Sequence, residues 1–193
     1  MSAVDFVRLK VHILTADAYI TGTLLVPPRG NNPSGKPPRF LDVLNSPALF
    51  LKTPGEVSND TAVILCEGMR HSFHGDPPRP FSSLHLRLEC VLLGSDEVPP
   101  GMSGTGLGSS AAGVPERLEM ILRGGLKVIG TVRGGSRAIL FPRGGHGFIA
   151  ATGVQYSTPL TPTELRDLAF AAVNSRAVES VILIDSPQRK EPK

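Results

Sequence analysis

Tryptophan is absent, and aromatic residues make up only 5% of the 193 positions, as two tyrosines and eight phenylalanines. A protein that grips single-stranded bases on stacking platforms needs more than this on its wet faces. Cysteine is nearly absent too. Cys66 and Cys90 both sit in apolar, strand-like stretches, which excludes a disulfide framework and reads as two buried, reduced thiols. No stretch approaches 18 apolar residues, and the start Met1-Ser2-Ala3-Val4-Asp5-Phe6 lacks the basic and apolar regions of a signal peptide. The expectation is a soluble, cytoplasmic protein without a membrane partner. Charge of either sign is modest: the net value is +3, so charge alone does not call for a polyanion.

What is plentiful is glycine (21) and proline (18), alongside 40% apolar residues. That composition can bury a core but favours turns and short elements over long helices. Val7, Leu9, Val11 and Ile13 alternate with Arg8, Lys10 and His12, the period of a strand with one buried face, and a turn at Ala16-Asp17 makes residues 7–26 a hairpin. Residues 27–38 read as an exposed Pro/Gly loop. Arg39 to Asn45 suits a helical turn stopped by Ser46-Pro47, with short strands at 48–52 and 61–66. Leu84, Leu86, Leu88, Cys90 and Leu92 alternate as a further half-buried strand.

Residues 94–115 have the composition of a flexible spacer, so the chain divides into a first β module (1–93), that linker, a second module (116–187) and a basic tail (188–193). In the second module strands are expected near 117–122, 126–132, 138–141, 147–156 and 177–184. Thr161 as N-cap, Pro162 behind it and Glu164 three residues after the cap predict a short helix.

The two modules align with each other. RLKVHILTADAYITGT from Arg8 lies over RLEMILRGGLKVIGT from Arg117 with one deletion, and residues 39–55 lie over 137–153. Residues 62–69 then match 170–177. The fold class expected is mainly β: two small antiparallel, barrel-like modules in tandem, with one or two short helices.

The order of short, bent strands in each copy resembles the small Sm-like β-barrel, the second copy also through Ala172-Val173-Asn174-Ser175-Arg176-Ala177-Val178. The first copy is similar to an uncharacterised bacterial β-domain family with a Gly-ended hairpin, a Pro-bearing loop and an R-x-x-D-x-L-N pattern, here Gly22, Pro27-Pro28, Arg39, Asp42 and Leu44-Asn45, then Phe50-Leu51 and Thr53. The second copy keeps Arg137, Phe148-Ile149 and Thr152 without the Asp and Asn. The Sm-like resemblance implies closed barrels and, as one use, RNA or DNA binding; the other implies no activity.

Among candidate chemistries, the run from Pro100 to Ala112, with Gly106-Leu107-Gly108-Ser109-Ser110-Ala111-Ala112, resembles the phosphate loop of galactokinase-type kinases. Gly113-Val114-Pro115 breaks the helix such a loop requires, so it reads as linker. Arg-Gly-Gly recurs at Arg123, Arg133 and Arg143, where arginines beside open backbone N–H groups are candidate contacts for an anion or nucleic acid; in a meander Arg123 and Arg143 would share an edge. His71, His74 and Asp76, near Cys66 and Glu67, lack the paired spacing of a metal site and read as a surface turn. His12 and His85 fall on wet strand faces and His146 in a Gly-rich turn. No motif marks a catalytic residue, a cofactor site or a metal site, and no cofactor is expected. Two functions follow: a non-enzymatic structural or interaction protein that associates with itself or another protein through its β modules, or an Sm-like RNA/DNA-binding protein using the Arg-Gly-Gly turns.

Overall fold

A computed structural model describes residues 6–26, 39–46, 62–97, 113–142 and 147–185. Ten antiparallel strands form one sheet: β1 (Val7–Leu14), β2 (Ala18–Val26), β3 (Ala62–Ser72), β4 (Arg79–Arg87), β5 (Leu93–Asp96), β6 (Pro115–Leu122), β7 (Leu126–Arg133), β8 (Phe148–Thr158), β9 (Thr161–Asn174) and β10 (Val178–Asp185). Among the described residues two six-residue helices, α1 (Phe40–Asn45) and α2 (Gly135–Leu140), follow β2 and β7. The fold is mainly β, as the alternation in the sequence requires.

The strand order is β10-β6-β7-β8-β9-β5-β1-β2-β3-β4. Each half repeats one internal order, its last strand first and then its other four in sequence. The sheet does not close on itself, so the expected barrels are corrected to a single open sheet. Closure is replaced by a seam, at which β5 pairs with β9 through Leu93–Val173 and Gly94–Ala172.

The halves also share a bulge. Gly22 in β2 and Gly130 in β7 each stand where the register slips against the next strand, between Thr21 and Thr23 and between Ile129 and Thr131. The extra residue on the opposing strand has positive φ in both cases, Glu67 at +46° and Gly153 at +55°. A bulge of this kind bends and twists its strand. The room at the bend is small: a Cβ on Gly68 would lie 2.1 Å from the Thr21 carbonyl oxygen.

This correspondence differs from the alignment read off the sequence. Val11 pairs with Gly22, and Leu118 with Gly130, which sets Lys10, not Arg8, against Arg117. Three residues join the paired strands in each half, Thr15 to Asp17 and Arg123 to Gly125, the latter as a 3-10 turn. The offset arises because the pairing runs four residues past Leu118 in β6 but three past Val11 in β1. Ala62–Ser72 answers to Phe148–Thr158, not to 170–177.

Several local expectations are corrected. Residues 138–141 do not form a strand. Gly134 and Gly135, at φ +83° and +57°, break the extended chain and start α2, whose first turn closes with the Ala138 N–H donating to the Gly134 carbonyl. The helix expected at Thr161 is part of β9. Thr161 and Thr158 instead share a hydroxyl–hydroxyl bond of 3.0 Å across the β8–β9 turn, and pairing of β9 with β8 and β5 outweighs the local capping signal. Gly94, Ser95 and Asp96, read as spacer, are buried in β5. The strand read through Leu92 stops at Arg87, and Leu88–Cys90 form a 3-10 turn. That turn leaves Cys90 exposed, while Cys66 is half-buried; both thiols are free.

Two apolar clusters form the core, and each borrows from the other half. Leu14, Leu92 and Leu93 join the cluster built on Leu118, Met120, Val128 and Val154. Phe148 and Ala172 join the one built on Ile13, Leu24, Phe40 and Leu65. Burial across the seam is thus continuous with burial inside each half.

Candidate interaction site: the seam and the two open edges

The seam is held by the residues of the R-x-x-D-x-L-N stretch. The Arg39 guanidinium donates from Nε and Nη2 to the two Asp96 oxygens, 2.7 Å each, and lies 4.7 Å over the Phe170 ring. The Phe40 N–H donates to Asp96 as well, at 3.1 Å. Burial by itself would push the Asp96 carboxyl up; the guanidinium and the Phe40 N–H outweigh it and hold the group below the usual carboxylate range. Asp42 accepts from the Arg39 N–H at 3.0 Å and so fixes the start of α1. Asn45 reaches across the seam, its Nδ2 donating to the Phe148 carbonyl (2.9 Å) and its Oδ1 accepting from the Phe148 N–H (3.1 Å).

The second half answers with its own side chains. Buried Asn174 donates from Nδ2 to the Val91 carbonyl at 2.9 Å, and its backbone N–H donates to Leu92 at 3.0 Å. Ser95 donates from Oγ to the Phe170 carbonyl at 2.8 Å. Glycine at position 94 is required because a Cβ would lie 2.5 Å from Phe40 Cε1, so α1 rests directly on the β5 backbone. An edge-to-edge strand contact is short by nature, and these bonds give it one register.

Beside the seam, His12 Nδ1 lies 2.5 Å from the Tyr19 hydroxyl and Nε2 3.3 Å from Glu97, which also meets Lys10 at 3.8 Å. His71 packs on the other side of Tyr19, ring centres 5.9 Å apart. Burial, with Tyr156 nearby, raises the Tyr19 hydroxyl above its ordinary value. The row carries hydrogen bonds between β1, β2 and the end of β5. His12 was readable as a wet-face residue; Glu97 was hidden in a segment read as spacer.

Arg123 and Arg133 are exposed at opposite ends of β7, and Arg143 lies outside the described residues. Arg123 lines a cleft of about 230 Å³ with Asp17, Glu89, Cys90 and Leu92, so two carboxylates share its surroundings. The Arg123-Gly124-Gly125 turn rests on the β1–β2 turn, with a Gly124 Cβ 3.0 Å from Ala16 Cβ. His71 is half-buried and His74 and Asp76 exposed, and no three His, Cys, Asp or Glu among the described residues form a metal-binding group. His85 is exposed on β4, as its wet-face position implies. The Gly106–Ala112 string, the 27–38 loop, the strand expected at 48–52, His146 and the tail lie outside the described residues.

At the ends of the sheet, β4 and β10 each have a neighbour on one side only among the described residues. Each exposes a row of backbone donors and acceptors to any further strand. No helix among the described residues is long and apolar enough to cross a membrane. The sequence matches no protein-family model and no curated protein.

Proposed function

We propose that this chain is a non-enzymatic structural or interaction protein that associates with itself, or docks on a protein partner, through the edges of its sheet, and that its two halves descend from one duplicated β module. The observation that carries the reading is the pair of open edges, β4 and β10, at the two ends of a ten-stranded sheet. An open edge satisfies its backbone groups most fully by pairing, which is the basis of recognition by strand addition. The seam supports it further, since it is itself such an edge contact, made within the chain.

Size-exclusion chromatography with light scattering, recorded at 260 and 280 nm, tests the reading. A mass that is a multiple of 20.5 kDa and rises with concentration is the expected result. A monodisperse monomer up to millimolar concentration, with no partner retained, overturns it. A high 260/280 ratio that falls on replacing Arg123 would instead favour binding of RNA or DNA, with a salt dependence to match.

A further inference from the structure

The two edges left open at the ends of the sheet are the same two edges that meet in its middle. At the seam, the last strand of the first half (β5) pairs with the fourth strand of the second half (β9). Among the described residues, the unpaired edges are the last strand of the second half (β10) and the fourth strand of the first (β4). We propose that chains assemble head to tail, β10 of one copy pairing antiparallel with β4 of the next in the register of the internal seam. The proposal deepens the self-association reading above and rests on it.

The register can be written down. The 3-10 turns before β5 and β10, Leu88–Cys90 and Ser175–Ala177, lie 87 positions apart, and the same spacing relates β4 to β9. Leu93 opposite Val173 and Gly94 opposite Ala172 therefore become Ser180 opposite Leu86 and Val181 opposite His85. One step along, Glu179 faces Arg87.

Two independent features of these edges fit that contact. The first is charge. Strand β4, RPFSSLHLR, carries Arg79, His85 and Arg87 and no carboxylate, whereas β10, VESVILID, carries Glu179 and Asp185 and no base. Opposite charges directly across a strand pair stabilise it, and the register puts Glu179 and Arg87 in that position. Among the described residues Arg87 meets the exposed Glu89, at 3.2 Å.

The second feature is apolar exposure. At the seam α1 touches β5, β8 and β9, and Phe40, Val43 and Leu44 are fully buried. Among the described residues, the main contacts of helix α2 are with β6, β7 and β10, all of its own half. There Leu140 and Phe141 stand 64% and 71% exposed, and Leu183 of β10, paired with buried Leu118 and so on the core-facing side of the sheet, is exposed too, whereas Ile182, paired with Glu119, lies on the opposite side. The first half of a following copy, seated as the second half is seated on the first, would cover that patch. A contact between two different edges of successive copies is heterologous, and builds a ring or a filament.

Site-directed cross-linking of the full chain tests this, in a background with Cys66→Ser and Cys90→Ser. Oxidation of the doubly substituted Ser180→Cys, Leu86→Cys chain should give a ladder of covalent multimers, since facing strand residues meet the distance a disulfide needs. The two single variants, mixed, should stop at dimers, and each alone should stay uncross-linked. Dimers from Ser180→Cys alone would mean β10 pairs with β10, and a multimeric mass without any cross-link would mean another surface is used; either overturns the head-to-tail register and leaves self-association standing. A monomer by light scattering overturns both. As an independent check, Glu179→Arg should weaken assembly roughly threefold to tenfold, and adding Arg87→Glu should restore it. A merely structural defect at Glu179 would not be restored by the second change.

Discussion

Arg39 and Asp96 are 57 residues apart in sequence and meet through two parallel hydrogen bonds of 2.7 Å. The Asp96 side chain is only 3% exposed. The pair fastens α1 to β5 at the place where the halves of the sheet join. Phe170, under the guanidinium, belongs to the other half. One ion pair therefore bears on the tertiary structure of the first half and on the seam.

Removing one partner leaves the other buried and uncompensated. Arg39→Ala should lower unfolding stability by roughly 3–5 kcal/mol, the range for breaking a buried pair. Exchange of both residues for apolar ones of similar volume, Arg39→Met with Asp96→Leu, should recover a large part of that loss, because neither charge is then stranded. Urea unfolding followed by circular dichroism measures both. A loss below about 1 kcal/mol for Arg39→Ala would show that the pair carries little of the fold.

The same pair sets a pH dependence. Asp96 is held below its ordinary value by Arg39 and the Phe40 N–H against the opposing effect of burial. Its contribution is complete above the unfolded carboxylate pKa, about 3.9, and is lost as pH falls through the lower folded value. Asp17, lowered by the Thr15 hydroxyl and Arg70, acts in the same direction. The urea midpoint should therefore be flat from pH 7 down to about 5 and fall below 4. In Asp96→Asn the curve should start lower and fall less steeply. An equally steep fall in that variant would assign the acid sensitivity elsewhere.

How much of this was legible in the sequence depends on the range of the forces involved. Alternation along β1 and the Gly-bearing turns marked hairpins correctly, since both are local. The stop at Ser46 was equally local. The helix expected at Thr161 failed because the same hydroxyl serves a hairpin turn, and pairing with two neighbouring strands decides between them. Gly94, Ser95 and Asp96 resemble a linker by composition, and only contacts far away in sequence, to Phe40, Phe170 and Arg39, make them a buried strand. The Arg39, Asp42 and Asn45 pattern was visible as a pattern. Its task at the seam was not, because every partner but one lies in a distant segment.

The shared bulge gives an asymmetric test. Glu67 and Gly153 hold the same place in the two halves with φ of +46° and +55°, a region that costs a non-glycine residue roughly 1–2 kcal/mol. Glu67→Gly should stabilise the protein by up to about 1 kcal/mol, part of the relief being offset by the greater freedom of glycine when unfolded. Gly153→Ala should destabilise it by about 1–2 kcal/mol through the backbone alone, since a Cβ there meets nothing within 4 Å. Effects of the same sign at both positions would separate the two bulges and weaken the equivalence of the halves.

Asn45 offers the most direct test of the seam. Its side-chain amide both accepts from the N–H and donates to the carbonyl of one residue, Phe148, which is buried at the start of β8. Asn45→Ala leaves both backbone groups without that partner and should cost about 1–3 kcal/mol. Asn45→Asp keeps the acceptor but turns a carboxylate oxygen toward the carbonyl, so it should not rescue the loss. Hydrogen exchange distinguishes a local effect from a global one: the Phe148 amide and the Asn174 amide, which donates across the same seam to Leu92, should lose protection before amides in the β6–β7 hairpin. Uniform loss across the sheet would instead mean that the two halves unfold as one unit and that the seam is no weaker than the hairpins it joins.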